Sequence, residues 1–309
     1  MGTGYSVVIP RLPSGVKEQS VHQGIESILQ GVNQKMSTYI PESELSRINR
    51  SESGDWMVLS PELFDIIRLS HSISEQTDGA FDITVGPLVN LWGFGPDEPK
   101  SLDGPSDPEI ALAKSLTGYQ NLEFSPVEKA IRKKMPGLYI DLSSIAKGYG
   151  VDAVADYLDS LGVPDYLVEI GGEIRGKGLS HRGDQWRIAV EKPIPGQRQV
   201  QRAITFSDIA IATSGDYRNY YEHEGMRYSH TIDPRNGRPI NHTLASVTVL
   251  SDRAVRADAW ATALMVLGEK EGYRLAEKKG LAAYFLYKEG DDFLPRETTA
   301  FSALTTQSG

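Results

Sequence analysis

The chain has 309 residues, 39% hydrophobic and 24% charged, with a net charge of −9 and no cysteine. Such a composition is that of a soluble globular protein, and its acidic balance argues against nucleic acid or an anionic membrane surface as the main partner. Without cysteine there is no disulfide, thiolate metal site or cysteine nucleophile, and no stretch approaches the ~18 apolar residues of a membrane helix.

Residues 4–10 read as an edge strand. Val21, Ile25, Ile28, Leu29 and Val32 then recur at helical spacing, with Gly31 a cost near the helix end. Pro41 breaks the chain before a short helix restarts in SELSRIN. Polar groups around Tyr39 and Ser43 either face a ligand or form ordinary half-exposed surface. Ser60-Pro61-Glu62 predicts a helix start with a serine cap, burying Leu63, Ile66, Ile67, Ser70 and Ile73. In 77–96, glycines at 79, 86, 93 and 95 come too close together for any long element. Phe81, Trp92 and Phe94 there offer flat surfaces for a ring, unless the segment is a buried structural turn. Residues 96–108 read as a surface loop, 110–116 as a short helix and 122–131 as strands around a turn.

The segment 138–178 reads as strand, polar loop, helix, strand and glycine-rich loop. The strand at 138–142 leads to Ser143–Gly150, a turn into a helix carrying Val151, Val154, Ala155, Leu158 and Leu161 at helical spacing. Gly162 and Pro164 close that helix, and 166–170 is a strand. A helix N-terminus attracts anionic groups, and Lys147 adds a full charge there; the alternative is an ordinary βαβ unit with a solvated lysine. Gly171 to Lys177 fits G-x-x-x-x-G-K. However, Gly178 stands where a phosphate-binding loop needs Ser or Thr, and a strand rather than a helix follows, so that motif is rejected.

Further strands are expected at 186–190 and 203–213, separated by the loop KPIPGQ. The span 213–240 holds four tyrosines, His223, His230 and Asp233, as a hairpin followed by a tight turn. His230 sits between a strand and that turn, where loops place functional groups on rigid elements. After a strand at 244–250, residues 254–267 predict a helix whose apolar side is Trp260, Ala263, Leu264 and Leu267. Asp258 and Thr262, four apart, project from one face. A carboxylate and a hydroxyl so placed suit magnesium or calcium, or else a solvated aspartate and a threonine bonded to its own helix. A helix at 273–278 and a hairpin of 282–288 with 293–296 complete the reading.

Eight segments in order then make a family resemblance: MGT, MSTYIPESELSRIN, TDGAFDITVGPLVNLWGFG, DLSSIAKGYGVD, VEIGGEIRGKG, TSGDYRNYY, YSHTIDPRNGRPI and ADAWATALMVLG. From Met1 to about Gly268 the chain resembles the FAD:protein FMN transferases, the ApbE-type flavin transferases. The expected architecture is α+β, mixed sheets with flanking helices. It forms a single catalytic domain over 1–309, of two interleaved subdomains with FAD in the cleft.

The resemblance implies cleavage of the FAD pyrophosphate with a divalent metal and transfer of FMN to a threonine of a target protein, releasing AMP. It implies flavin contacts from Met1, Tyr39, Ala80, Phe81, Asp82, Asp141, Lys147 and Ile232. It implies a metal, Mg2+ or another divalent cation such as Ca2+, on Asp258, Thr262 and an oxygen of Ser144. His230 is the candidate base and Asp258 the catalytic carboxylate. Some relatives carry a second aspartate where this chain has Ala261. The implied partner is a flavoprotein with a D-G-x-[ST]-G-[AT]-T motif, such as a membrane redox subunit, with no nucleic acid and no transmembrane segment in this chain. Family members are commonly exported lipoproteins. The expected site is therefore periplasmic, at the inner membrane, through a leader or lipid cysteine absent from this sequence. Two other readings use the same features: a metal-dependent FAD pyrophosphatase, and a flavin-binding protein without chemistry, against which the Asp258–Thr262 pair argues.

Overall fold

The computed structural model describes residues 2–52, 54–96, 104–192, 199–215, 220–223, 226–290 and 292–306, without the side chains of 220–228 and 306. Met1, most of the expected KPIPGQ loop at 192–197 and most of the expected 96–108 loop lie outside the described residues. In chain order come β1 (Tyr5–Val8), α1 (Glu18–Met36), α2 (Glu44–Arg50), β2 (Met57–Val58), α3 (Pro61–Gln76), α4 (Gly86–Leu91) and α5 (Asp107–Ser115). Next are β3 (Leu122–Ser125), β4 (Ala130–Lys133), α6 (Ala146–Ser160), β5 (Tyr166–Ile170), β6 (Glu173–Lys177), β7 (Trp186–Glu191) and β8 (Val200–Phe206). Then follow β9 (Ile209–Gly215), β10 (Tyr220–His223), β11 (Met226–Ser229), β12 (Ile232–Asp233), β13 (Arg238–Pro239) and β14 (Leu244–Ser251). The chain closes with α7 (Ala254–Lys279), β15 (Ala282–Glu289), β16 (Asp292–Glu297) and α8 (Thr299–Thr306). The fold is α+β, and each strand pairing among the described residues is antiparallel.

Two compact units interleave along the sequence: Met1–Gly31, Ile145–Arg218 and His242–Gly309 make one, Val32–Ser144 and Asn219–Asn241 the other. The first is built on a seven-stranded sheet, β1-β5-β6-β9-β14-β15-β16. Period-two alternation divides its side chains between two layers. Tyr166, Val168 and Ile170 of β5 pack with Val21 and Ile25 of α1 and with Val154 and Leu158 of α6. Leu167 and Ile174 join the other layer, with Trp186, Ile204 and Phe206 of the β7–β8 hairpin and Phe301 of α8. Strand β14, LASVTVLS, is buried along nearly its whole length, Ser246 and Thr248 included, as suits a central strand covered on both faces.

Two expectations about this unit are corrected, and one helix was not expected. The single strand expected at 203–213 is two, because Ser207-Asp208 turns with Asp208 at φ 57°. The helices expected at 254–267 and 273–278 are one helix, α7, kinked at Gly268. The helix α8 at the end of the described chain had no strong periodic signal over its eight residues.

In the second unit, β2-β4-β3 form a small sheet. The strand expected at 138–142 joins no ladder. Its backbone is held instead by side chains: Asn49 both donates to Ile140 O (2.8 Å) and accepts from Ile140 N–H (2.8 Å). The buried Lys133 ammonium donates to Ile48 O and Leu138 O. A polar side chain standing in for a neighbouring strand gives no period that a sequence pattern reveals. Ser60 does precede α3, yet its hydroxyl makes no cap bond and is buried without a partner.

Candidate active site

In the first unit, α6, α7 and the start of β6 bring together three ionisable groups far apart in sequence. Helix α6 starts from a turn, and Lys147 lies in its first turn, with Nζ donating to Glu173 Oε1 at 2.7 Å. Glu173 is placed by the β5–β6 hairpin, whose two-residue turn is Gly171-Gly172. Both glycines have positive φ (61° and 106°), and a Cβ on Gly171 would press on Thr3 and on the Lys147 stem. The segment that mimics a phosphate-binding loop is thus a hairpin.

Asp258, on the second turn of α7, is 3% exposed, and its Oδ2 accepts the Gly148 N–H at 2.9 Å. Thr262 follows one turn later, its Oγ1 3.3 Å from Ser214 Oγ on β9. Burial pushes the Asp258 carboxyl up to about 6, against the pull of the Lys147 charge and the Gly148 N–H. Burial also pushes Glu173 up to about 8, helped by the Asp258 charge and opposed by Lys147. For Lys147 itself, burial disfavours the ammonium, but the charges of Asp258 and Glu173 outweigh it and hold its pKa above the ordinary value.

Two carboxylates therefore share one ammonium in a dry setting, and Glu173 Oε2 is buried with no partner. Carboxylate and hydroxyl oxygens gathered in this way fit a hard divalent cation, whose charge would favour the ionised forms of both acids. No three His, Asp or Glu side chains gather as a metal cage among the described residues. Any ion here depends on mixed oxygen ligands.

In the second unit, Ala80, Phe81 and Asp82 form a buried turn after α3. Asp82 is anchored: Oδ1 accepts from Thr84 N–H (2.8 Å) and the Thr84 hydroxyl (2.7 Å), and Oδ2 from Tyr119 N–H (2.8 Å). Burial raises its pKa against these bonds. Asp141 joins the same turn, its N–H donating to Ile83 O at 2.7 Å and its Oδ1 accepting from Ser143 N–H. Ser144 lies in the turn that follows. Tyr39 is 67% exposed, a free ring face, with its pKa raised by burial of its hydroxyl end and by the Asp141 charge.

Ile232 on β12 packs with Leu88, Trp92 and Ile110. His230 stands just after β11, its ring 6.4 Å from that of Phe94 in an edge-on arrangement. The expectation that Phe81 and Trp92 present flat surfaces is corrected. Both are core residues, 2% and 5% exposed, and Trp92 Nε1 donates to Gly237 O at 2.9 Å across the turn after β12.

Comparison with known proteins decides the family. The model of the ApbE family matches residues 1–285. The chain belongs to the ApbE family. It is 46% identical to the FAD:protein FMN transferase of Vibrio cholerae serotype O1, over 97% of this chain and 89% of that protein. The solved flavin transferase ApbE from Vibrio cholerae superposes with a TM-score of 0.91 at 44% identity, covering 98% of this chain and 96% of the other. The apo flavinyl transferase ApbE from Pseudomonas stutzeri gives 0.90 at 41% identity, covering 99% and 94%.

Of the residues that the resemblance to the ApbE family implied, Asp258, Thr262 and Lys147 fall in the first unit. Tyr39, Ala80, Phe81, Asp82, Asp141, Ser144, His230 and Ile232 fall in the second. Sequence reasoning passed over Glu173 and Gly148. Their partners lie 26 and 110 residues away, beyond any local pattern. The only local signal for Glu173 was an acid directly after Gly171-Gly172 at a strand end.

Proposed function

We propose that this ApbE-family chain is a metal-dependent FAD:protein FMN transferase. It moves FMN from FAD to a threonine hydroxyl of a target protein: a bond forms between the threonine oxygen and the FMN phosphorus, and the bond from that phosphorus to AMP breaks. The observation that carries this reading is the pair of buried carboxylates, Asp258 and Glu173, around the partly exposed Lys147 ammonium beside Thr262. It suits a polyanion held with a cation, in a chain otherwise carrying nine excess negative charges. Asp258 and Thr262 would hold a divalent cation, which would supply charge neutralisation at the phosphoryl oxygens when bound.

Lys147 adds a fixed positive charge at the start of α6 for the phosphates. The exposed ring of Tyr39 and the backbone of the 80–82 turn receive the flavin nucleotide. The Asp82 carboxylate, already bonded to Thr84 and Tyr119, holds that turn in shape. His230 accepts the proton that the acceptor threonine loses as it attacks. The acceptor carries a D-G-x-[ST]-G-[AT]-T-like loop and meets the enzyme on the periplasmic side of the inner membrane, with residues 1–309 acting as one catalytic domain.

The test is the intact mass of a protein bearing that motif, incubated with FAD, with and without magnesium. Labelling by one FMN only when metal and FAD are both present, together with AMP release, is the expected result. His230→Ala should slow labelling by about a hundredfold or more while flavin fluorescence still reports FAD binding. AMP release without a labelled acceptor would instead mean a pyrophosphatase, and labelling of an acceptor whose threonine is alanine would remove the threonine assignment.

A further inference from the structure

Asp152 takes no part in the chemistry just described, yet it is 1% exposed and its carboxylate is fully engaged. Its Oδ1 accepts the Ala254 N–H at 3.1 Å and its Oδ2 the Val255 N–H at 2.9 Å. These are unpaired donors of the first turn of α7, and Arg253, at the N-cap position, provides no side-chain cap of its own. The cap is therefore supplied from another helix, α6.

The same two helices are joined a second time in the opposite sense. Gly148, four residues before Asp152 on α6, donates its N–H to Asp258, four residues after Ala254 on α7. Each helix thus gives a backbone N–H to a carboxylate of the other, and the two bonds lie one helical turn apart along both axes. The charge of Asp152 is matched by Arg175 (Nη1 at 3.0 Å) and Arg253 (Nε at 3.2 Å). The half-exposed Asp156 holds the same two guanidinium groups, at 2.9 Å and 2.7 Å, but bonds no backbone of α7.

From this reciprocal arrangement we infer that Asp152 is a positioning residue: by capping α7 from α6 it fixes the rotation and height of the turn that presents Asp258 and Thr262. The inference rests on the reading of Asp258 and Thr262 as metal ligands. A buried carboxylate one turn from a ligand, bonded to the ligand's own helix, tunes affinity by orientation, as partners behind metal ligands generally do.

The experiment uses the full chain and Mn2+ as a paramagnetic probe, its binding followed by electron paramagnetic resonance and FAD affinity by flavin fluorescence. Asp152→Ala should weaken Mn2+ binding by about ten- to a hundredfold, while FAD affinity without metal changes by less than about threefold. Asp152→Asn keeps the shape and one acceptor oxygen, and should give an intermediate loss in a chain that stays folded even where the alanine variant does not. Asp156→Ala, which removes charge from the same arginines but no cap, should keep Mn2+ affinity within about twofold.

Normal Mn2+ binding by Asp152→Asn and Asp152→Ala would overturn the inference if Asp258→Ala does lose the ion. An equal loss in Asp156→Ala would also overturn it, because the effect would then follow the charge cluster and not the cap. Normal Mn2+ binding by Asp258→Ala would remove the metal reading itself, and this inference with it.

Discussion

Gly148 occupies a place where α6 and α7 touch through backbone. A Cβ there would collide with the Ala254 carbonyl and come within 2.8 Å of Asp258 Cβ. Gly148→Ala therefore has to push the helices apart, which should cost about 2 kcal/mol in urea denaturation and weaken the Gly148–Asp258 bond. Asp258→Ala acts on chemistry more than on folding. Under the proposed function its carboxylate would hold the cation that offsets the negative charge growing on the phosphoryl oxygens in the transition state, so kcat for transfer should fall by about a thousandfold or more while FAD affinity changes little. Normal turnover by Asp258→Ala across a magnesium titration would contradict its placement.

Glu173 gives a pH test at the same scale. Its pKa is raised to about 8 when folded, first by burial, whereas an unfolded glutamate titrates near 4.5. The folded state then binds the extra proton between those values, so the stability this group contributes is full below 4.5 and is lost as pH rises through about 8. In metal-free protein the stability of wild type relative to Glu173→Gln should fall across that window. A difference that stays flat with pH would count against the buried, proton-holding Glu173.

At the scale of elements, α7 is the one whose interruption carries information. Gly268 has φ 76° and ψ −178°, outside helical geometry, and His242 closes the gap by donating from Nε2 to Met265 O at 2.8 Å. A Cβ on Gly268 would meet the His242 ring at 2.9 Å. Gly268→Ala combines a left-handed backbone with that clash and should cost about 2–3 kcal/mol by denaturant midpoint, leaving the first half of α7, which carries Asp258 and Thr262, able to support transfer. In the sequence this break showed as two helices with a gap. Hydrophobic spacing falters where glycine and charged residues enter, and nothing local says that the axis continues. The reverse error at 203–213 has a similar origin: Ser207-Asp208 is a tight turn inside an apolar run, and two strands of one period read as one.

For the whole molecule, the interleaving of the two units decides what a fragment can do. A chain ending at residue 180 keeps β1, β5 and β6 of the seven-stranded sheet and loses β9, β14, β15 and β16, together with α7. It also loses Asp258, Thr262, His230 and Ile232. Such a fragment should neither unfold cooperatively nor bind FAD with full affinity, by circular dichroism melting and flavin fluorescence. Full FAD affinity in residues 1–180 would show that the later segments are not needed for the nucleotide.

The sequence by itself determined most of the elements. Helical spacing placed α1, α3 and α6, and the Asp258–Thr262 pair was legible because four residues make one helical turn; Gly171-Gly172 marked the end of β5, but β6 after it read as a glycine-rich loop. It also carried the family, since motifs spread over nearly the whole chain survive in order. What it could not hold was any partner separated by a long stretch of chain. Asn49 replacing a strand neighbour for Ile140, Glu173 under Lys147, Gly148 on Asp258 and Asp152 on the start of α7 are all hydrogen bonds between distant segments. Periodicity reports which face of an element is buried, because burial repeats with the helix or strand. A hydrogen bond to a residue a hundred positions away has no period, and only the packed fold decides which donor meets which acceptor.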